Sequence, residues 1–186
     1  MELFPALQLG WLNGWLLLVI LYGVFGLLLW IFPRDVVARL YDRSGWSPQQ
    51  GRLVAMRLPF ALLSFALIML TPLRVGTGMF AIGVAVFAFG LLSFVIALLN
   101  FRDTPPDQPA EIGLYRLSRN PQSVSLIVAT VGMCLAIGSW AALLTTAITM
   151  VFGHIRILAE EGACLRQYGD SYRAYMQRVP RYLLFL

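Results

Sequence analysis

The fold is decided by the stretch VSLIVATVGMCLAI-GSW-AALLTTAITMVFGHIRIL, which covers residues 124–158. Two apolar runs, 124–137 and 141–158, lie on either side of a short turn sequence at 138–140. A helix that crosses a membrane needs about 20 predominantly apolar residues. We therefore interpret the second run as a full span and the first as a span or half-span. The polar segments that flank this hairpin carry Arg and Glu, and they are expected to meet on one face of the membrane.

The apolar character extends over the whole chain of 186 residues, which is 59% hydrophobic and only 12% charged. A soluble domain would carry about 25% charged residues. Further apolar runs precede the hairpin at 11–32, 58–73 and 79–99. We therefore predict an all-α fold, a polytopic transmembrane helical bundle of about five spans. It is expected to be a single membrane domain, with N-terminal spans in residues 1–99 and a distinct C-terminal region in residues 100–186.

The segments between the runs predict shorter elements. Apolar residues recur at helical spacing between positions 36 and 41, which indicates a short helix on the membrane surface. Ser47-Pro48 is typical of a helix start, and we expect that helix to continue into the second span. A tight turn is predicted at 74–78 and an extended, proline-rich loop at 101–110. The tail from Gly169 onward alternates apolar and polar residues, which predicts another interfacial helix.

The basic residues indicate an orientation. All fourteen are arginines, and thirteen of them lie in the segments 34–57, 102–119 and 156–181, which five spans place on one side. Positively charged loops favour the cytoplasmic side. We therefore predict an integral membrane protein, in a bacterial inner membrane, with the N-terminus outside and the C-terminus in the cytoplasm. The net charge of +5 is attributed to this topology and to anionic lipid headgroups, not to nucleic-acid binding.

The cysteines and the histidine predict no metal site. Cys134 lies in an apolar run and Cys164 is expected beyond the end of a helix, and both are interpreted as reduced thiols. His154 is the only histidine. A lone histidine on an apolar helix is expected to be satisfied by a neighbouring group, and we predict no catalytic role for it.

Three charged residues at the end of the fifth run are candidates for chemistry. Arg156 and Glu160 are four residues apart, so they share a helix face. An arginine at the membrane edge suits a carboxylate or a phosphate. Glu160 and its neighbour Glu161 suit ribose hydroxyls or an amine, because an ionised carboxylate only accepts hydrogen bonds. An ordinary surface ion pair is the alternative interpretation.

The dipeptide Asn120-Pro121 precedes the fourth run. Proline suits the first turn of a helix, which places Asn120 at the N-cap, where its side chain is expected to accept a backbone N–H. Capping alone explains this dipeptide. A functional alternative is that Asn120 and the free N–H groups of the helix start hold a polar ligand.

These residues belong to a longer pattern. Gly113-x-Tyr115-x-x-x-Arg119-Asn120-Pro121 is followed, after the hairpin, by Arg156-x-x-x-Glu160-Glu161 and then by Gly169-x-x-Tyr172-x-x-Tyr175-x-x-x-Val179-Pro180-Arg181. The pattern resembles the isoprenylcysteine carboxyl methyltransferase family, which is related to the phospholipid N-methyltransferases. The resemblance covers about residues 100–181, and the first 99 residues share only their transmembrane character.

The resemblance implies S-adenosylmethionine as the cofactor, bound in a cytoplasm-facing pocket of the C-terminal region. It implies that the donor is contacted by the following residues: Asn100, Tyr115, Asn120, Pro121, Ser123 and Glu160. It assigns catalytic positions to Arg156, which would face the acceptor, and to Glu161. Ser123 stands where the family motif has tyrosine, and residues 107–110 do not match the family's donor-binding loop. The implied partner is a lipophilic or lipid acceptor, either carboxylate-bearing or phospholipid-like.

Two alternatives remain open from the sequence. Sterol reductases resemble the same C-terminal region and bind NADPH, so an intramembrane reductase is one. A relative that has lost catalysis is the other, because of Ser123 and the unmatched segment at 107–110. The sequence does not predict an oligomeric state.

Overall fold

The chain folds as a bundle of helices. In the computed structural model, residues 1–3, 5–43 and 46–183 are described. The helices are α1 (Trp15–Ile31), α2 (Arg34–Leu40), α3 (Pro48–Ala55), α4 (Leu58–Leu70), α5 (Gly78–Arg102), the 3-10 helix η1 (Gly113–Arg116), α6 (Pro121–Ile137), α7 (Trp140–Tyr168) and α8 (Asp170–Arg178). No strand is present among the described residues, so the all-α prediction is confirmed.

Each of the five predicted spans corresponds to an apolar helix, but the helices differ in length. Helices α5 and α7, of 25 and 29 residues, are long and apolar enough to cross a membrane. The other apolar helices are shorter, with 17 residues in α1 and α6 and 13 in α4. The number of five spans therefore stays a prediction.

Helix α7 is longer than the sequence indicated. At 1.5 Å per residue its 29 residues extend over about 44 Å, whereas the apolar core of a bilayer is about 30 Å thick. The helix is therefore longer than one crossing of a membrane of this thickness needs. The expectation that Cys164 lies beyond a helix end is wrong, because α7 continues to Tyr168.

The predicted continuous helix from Ser47 into the second span is also wrong. Ser47 does start a helix: its hydroxyl accepts from Gln50 N at 3.2 Å, and the Gln50 side chain accepts from Ser47 N at 2.8 Å, which is a capping box. That helix, α3, ends at Ala55, and α4 begins at Leu58. The break follows from Pro59, which has no N–H to donate to the carbonyl four residues earlier and whose ring would collide with it.

Helices α5 and α6 pack backbone against backbone. A Cβ atom added at Gly90 would lie 2.7 Å from Ala129 Cα, and one at Gly132 would lie 2.7 Å from Phe87 Cα. Small residues allow this close approach between helices in a membrane, where packing drives association. Helix α6 begins at the polar residues predicted for the site, so this packing fixes their position relative to α5.

We predict that Gly90→Val strongly destabilises the protein, because the added methyl groups would force α5 and α6 apart. Overpacking of this kind costs about 1–3 kcal/mol or more. The measurement is the thermal unfolding midpoint in detergent. Gly23→Val is the matched control, since nothing lies within 4 Å of the added Cβ there. Equal midpoints for the two variants would contradict the close packing.

The end of the bundle where α6 ends and α7 begins is held together by the N-terminal segment. Glu2 N donates to Gly138 O at 2.8 Å and Trp140 N donates to Glu2 O at 2.9 Å. The Glu2 carboxylate also forms an ion pair with Arg74. Gly138 has a φ of 68° and ends α6, so the predicted turn of the hairpin is confirmed.

Candidate active site

A polar cavity of about 520 Å³ lies at the end of the bundle where α6 begins and α7 ends. Six of the eight residues that the sequence proposed for the site line this cavity: Tyr115, Asn120, Ser123, Arg156, Glu160 and Glu161. The hairpin brings them together, since α6 starts and α7 ends on the same side. Asn100 and Pro121 are not among the described residues that form its wall.

Glu160 and Arg156 form a pair on the cavity wall. Arg156 Nε donates to Glu160 Oε1 at 2.7 Å, and about a third of each side chain is exposed. The predicted shared helix face is therefore confirmed. A pair of this kind in contact with water contributes little to stability, and both residues line the cavity.

Glu161 lies in a different environment, because only 3% of it is exposed. Arg181 Nε donates to Oε2 at 2.9 Å, and Arg119 Nε lies 3.1 Å from Oε1. The Arg119 contact has ion-pair distance but not hydrogen-bond geometry. Glu161 thus joins α7 to the segment before α6 and to the C-terminal tail. Its catalytic role stays a prediction, and its ion pairs give it a structural one.

Asn120 occupies the predicted N-cap position of α6, but its side chain makes no capping hydrogen bond. Its Nδ2 instead donates to Arg181 O at 3.2 Å and to Glu161 Oε1 at 3.4 Å. The expectation of a capping side chain is therefore wrong. The physical reason is that a buried carboxylate and a carbonyl both need donors here, and the amide nitrogen supplies them.

Tyr115 is held between α6 and α8. Its hydroxyl accepts from Gln122 Nε2 at 2.8 Å, and its carbonyl accepts from the hydroxyl of Tyr175 at 2.6 Å. Burial raises the pKa of both phenols well above the ordinary value, so they stay protonated. Gln122 also lines the cavity. Sequence reasoning missed it, although its place in the first turn of α6 was a signal.

Asn100 positions Tyr115 from behind the cavity wall. Its Oδ1 accepts from Leu114 N at 3.0 Å, in the turn of η1. Gly113 has a φ of 55°, and a Cβ there would collide with the Asn100 side chain. The pair therefore fixes the backbone that carries Tyr115. Contact between Asn100 and a donor molecule stays a prediction.

Helix α2 covers the same end of the bundle. Arg39 donates to Phe101 O and to Thr104 O, both at 3.0 Å, and its guanidinium lies 4.8 Å from the centre of the Phe101 ring. Arg39 and Thr104 both line the polar cavity. The N-terminal half of the chain therefore contributes to a site that the sequence placed entirely in the C-terminal half.

A second cavity, of about 760 Å³, adjoins the first. Its wall is mainly apolar side chains from α1, α4, α6 and α7, and it shares Ser123 and Arg156 with the polar cavity. Its lining also includes Arg57, His154 and Tyr182. His154 Nδ1 and the Tyr182 hydroxyl are 2.6 Å apart, which confirms that the histidine is satisfied by a neighbour. The sequence did not predict this cavity, because it arises between four separate helices.

The sequence model of the family described as phospholipid methyltransferase matches residues 74–171. This is more than half of the chain. The chain belongs to the phospholipid methyltransferase family. No curated protein and no solved structure matches it.

The phospholipid methyltransferase match begins at the turn before α5 and ends at the start of α8. The expectation that the first 99 residues resemble the family only in being transmembrane is therefore wrong for residues 74–99. The matched residues include α6 and nearly all of the rest of the hairpin in α7, together with most of the residues that line the polar cavity. Membership of the phospholipid methyltransferase family, together with two helices of spanning length, makes this an integral membrane protein of a methyltransferase family. It does not favour the reductase alternative.

The described His, Cys, Asp and Glu side chains of this phospholipid methyltransferase family member do not indicate a metal centre. Among the described residues, no group of three His, Cys, Asp or Glu side chains is placed to hold a metal ion. Cys134 and Cys164 are free thiols. Cys134 is buried, and its Sγ lies 3.6 Å from the Thr146 hydroxyl.

Proposed function

We propose that this protein is an S-adenosylmethionine-dependent methyltransferase that transfers a methyl group to a lipophilic acceptor in the membrane. The observation that supports this is the junction of the two cavities. A polar cavity suited to a nucleoside-containing donor meets an apolar cavity suited to a lipid tail, and Arg156 and Ser123 line both. Donor and acceptor would meet at these two residues.

The residues of the polar cavity fit the proposed donor. A volume of about 520 Å³ lies in the range of small-molecule sites, roughly 300–1,000 Å³. Glu160 offers a carboxylate to hydroxyl or amino groups, and Gln122 offers an amide. Tyr115 and Tyr172 add aromatic surface to the wall. Direct contact of Asn120 with the donor remains part of this proposal. Pro121 and Asn100 would act through the wall, Pro121 as the start of α6 and Asn100 as the support of the turn that carries Tyr115.

S-adenosylmethionine, when bound, supplies a methyl group that is already activated by a positively charged sulfur. The protein therefore has to hold the acceptor in line, and positioning of this kind lowers a barrier by up to about 7–11 kcal/mol. Arg156 is placed to bind the acceptor's polar end. A carboxylate acceptor would need no base, whereas an amine acceptor would pass its proton to Glu160 or Glu161.

We further propose that the polar cavity faces the cytoplasm. Thirteen arginines lie in segments at its end of the bundle, and Arg74 lies at the other end with the N-terminal segment. Both α1 and α4 line the apolar cavity. Residues 1–99 and 100–186 would therefore act as one membrane domain, the first part completing the acceptor site and the second holding the donor.

We predict that Arg156→Ala lowers methyl transfer about 10- to 100-fold while donor affinity changes little. A hydrogen bond to a charged group contributes about 1.5–3 kcal/mol, and the variant loses the one made to the acceptor. The measurement is incorporation of labelled methyl from S-adenosylmethionine into a membrane lipid extract, with S-adenosylhomocysteine affinity measured in parallel. Arg173→Ala, on the exposed side of α8, is the control. An equal loss of methyl transfer and of S-adenosylhomocysteine affinity in Arg156→Ala would show that the residue belongs to the donor site.

A further inference from the structure

Two arginines in the wall of the apolar cavity give it an excess of positive charge. Arg57, just before α4, and Arg156, on α7, both line it. Arg156 is paired with Glu160 at 2.7 Å. Among the described residues, Arg57 has neither a hydrogen bond nor an ion pair for its guanidinium. Of the described carboxylates, only that of Glu160 acts on both arginines, so one positive charge beside the apolar walls is not neutralised.

An unpaired guanidinium in such a place is unfavourable. Burial lowers the pKa of Arg57, and the positive charge of Arg156 lowers it further, followed by that of Arg43; Glu160 opposes this. A charged side chain beside apolar walls is expected to pair with an opposite charge or to mark a substrate path. Within the described part of the chain, Arg57 is half-buried and forms no ion pair, and the carboxylate that acts on it, Glu160, is already paired with Arg156.

We infer that Arg57 and Arg156 together bind the carboxylate or phosphate of an acyl-chain amphiphile whose tail lies in the apolar cavity. The inference rests on the proposed function, because this amphiphile is its methyl acceptor. A guanidinium suits both anions, since its N–H groups bind two oxygens at once. The tail would lie along apolar lining residues such as Leu21, Phe65 and Ile127.

Arg57 lies outside the residues that match the family, 74–171. The proposed anion site is therefore formed between the family region, which supplies Arg156, and the N-terminal helices, which supply Arg57. On this basis Arg57 is a specificity-determining residue that selects acceptors with an anionic group. A long-chain lipid without that group would fit the walls but leave the two arginines unneutralised.

The test measures binding of labelled palmitate to the full-length protein in a neutral detergent, with three competitors: hexadecyl phosphate, hexadecanol and inorganic phosphate. We expect hexadecyl phosphate to compete at concentrations at least 10-fold lower than either hexadecanol or inorganic phosphate. Effective competition by hexadecanol would show that the cavity takes any lipid chain. Effective competition by inorganic phosphate would show a site for a free anion. Either result would overturn the inference.

The residue assignment is tested with variants. Arg57→Gln is expected to weaken palmitate binding at least 10-fold, Arg57→Lys to weaken it less, and Arg52→Gln, on the exposed side of α3, to leave it unchanged. Equal affinities for Arg57→Gln and Arg52→Gln would overturn the role of Arg57. S-adenosylhomocysteine affinity is measured on the same samples, both to check folding and to separate the two proposals. Palmitate binding that depends on Arg57 without any donor binding would leave the anion site standing and remove the methyltransferase function.

Discussion

Replacing Glu161 with alanine is expected to lower the thermal unfolding midpoint by about 10 °C. The substitution leaves Arg119 and Arg181 without their common carboxylate, and removing one partner of a buried ion pair costs about 3–5 kcal/mol. For a chain of this size, each kcal/mol shifts the midpoint by about 2–4 °C. The carboxylate of Glu161 joins α7 to the tail through Arg181 at 2.9 Å and to the segment before α6 through Arg119 at 3.1 Å. Alanine can make neither ion pair.

The control for this prediction is Glu111→Ala. Glu111 also pairs with an arginine, Arg178, at 2.9 Å, but that pair lies at the surface. Exposed pairs contribute about 0–1 kcal/mol, so its midpoint should change by no more than a few degrees. If Glu161→Ala unfolded at the same temperature as Glu111→Ala while losing activity, Glu161 would act in catalysis and not in holding the site together.

Replacing Glu160 with alanine is expected to weaken donor binding about 100-fold or more while the fold stays intact. The side chain is one-third exposed on the wall of the polar cavity, and it pairs with Arg156 on the same helix. Losing such a helix pair costs only about 0.3–0.5 kcal/mol of stability. Losing two charge-assisted hydrogen bonds to a ligand costs about 3–6 kcal/mol of binding.

The comparison of Glu160 with Glu161 makes this prediction specific. The two neighbouring carboxylates are predicted to differ in their effects: Glu160→Ala weakens donor binding, whereas Glu161→Ala lowers the unfolding midpoint. Affinity for S-adenosylhomocysteine and the unfolding midpoint are measured for both variants. Unchanged affinity in Glu160→Ala would remove Glu160 from the donor site.

Much of the fold follows directly from the sequence. Five apolar runs correspond to five apolar helices, and Pro33, Gly138 and the proline-rich segment end them close to the expected places. The predicted boundaries fail where two signals compete. Ser47-Pro48 indicates a helix start and the apolar run that follows favours continuation, but Pro59 breaks the helix and separates α3 from α4.

The candidate site was predictable where residues lie on one hairpin. Arg156, Glu160 and Asn120 converge because an antiparallel pair of helices must bring its two polar ends together. The direction of a side chain was not predictable in the same way: Asn120 turns from the helix N-terminus to Glu161, a partner 41 residues away. The apolar cavity and Arg57 were missed because they depend on how α1 and α4 pack against the hairpin.

The proposed function requires that the polar cavity binds a methyl donor. The measurement that tests it most directly is calorimetric titration of the detergent-purified protein with S-adenosylhomocysteine and, separately, with NADPH. We expect saturable binding of S-adenosylhomocysteine at one site per chain and no heat of binding for NADPH. A well-folded sample that binds NADPH, or that binds neither ligand, would contradict it.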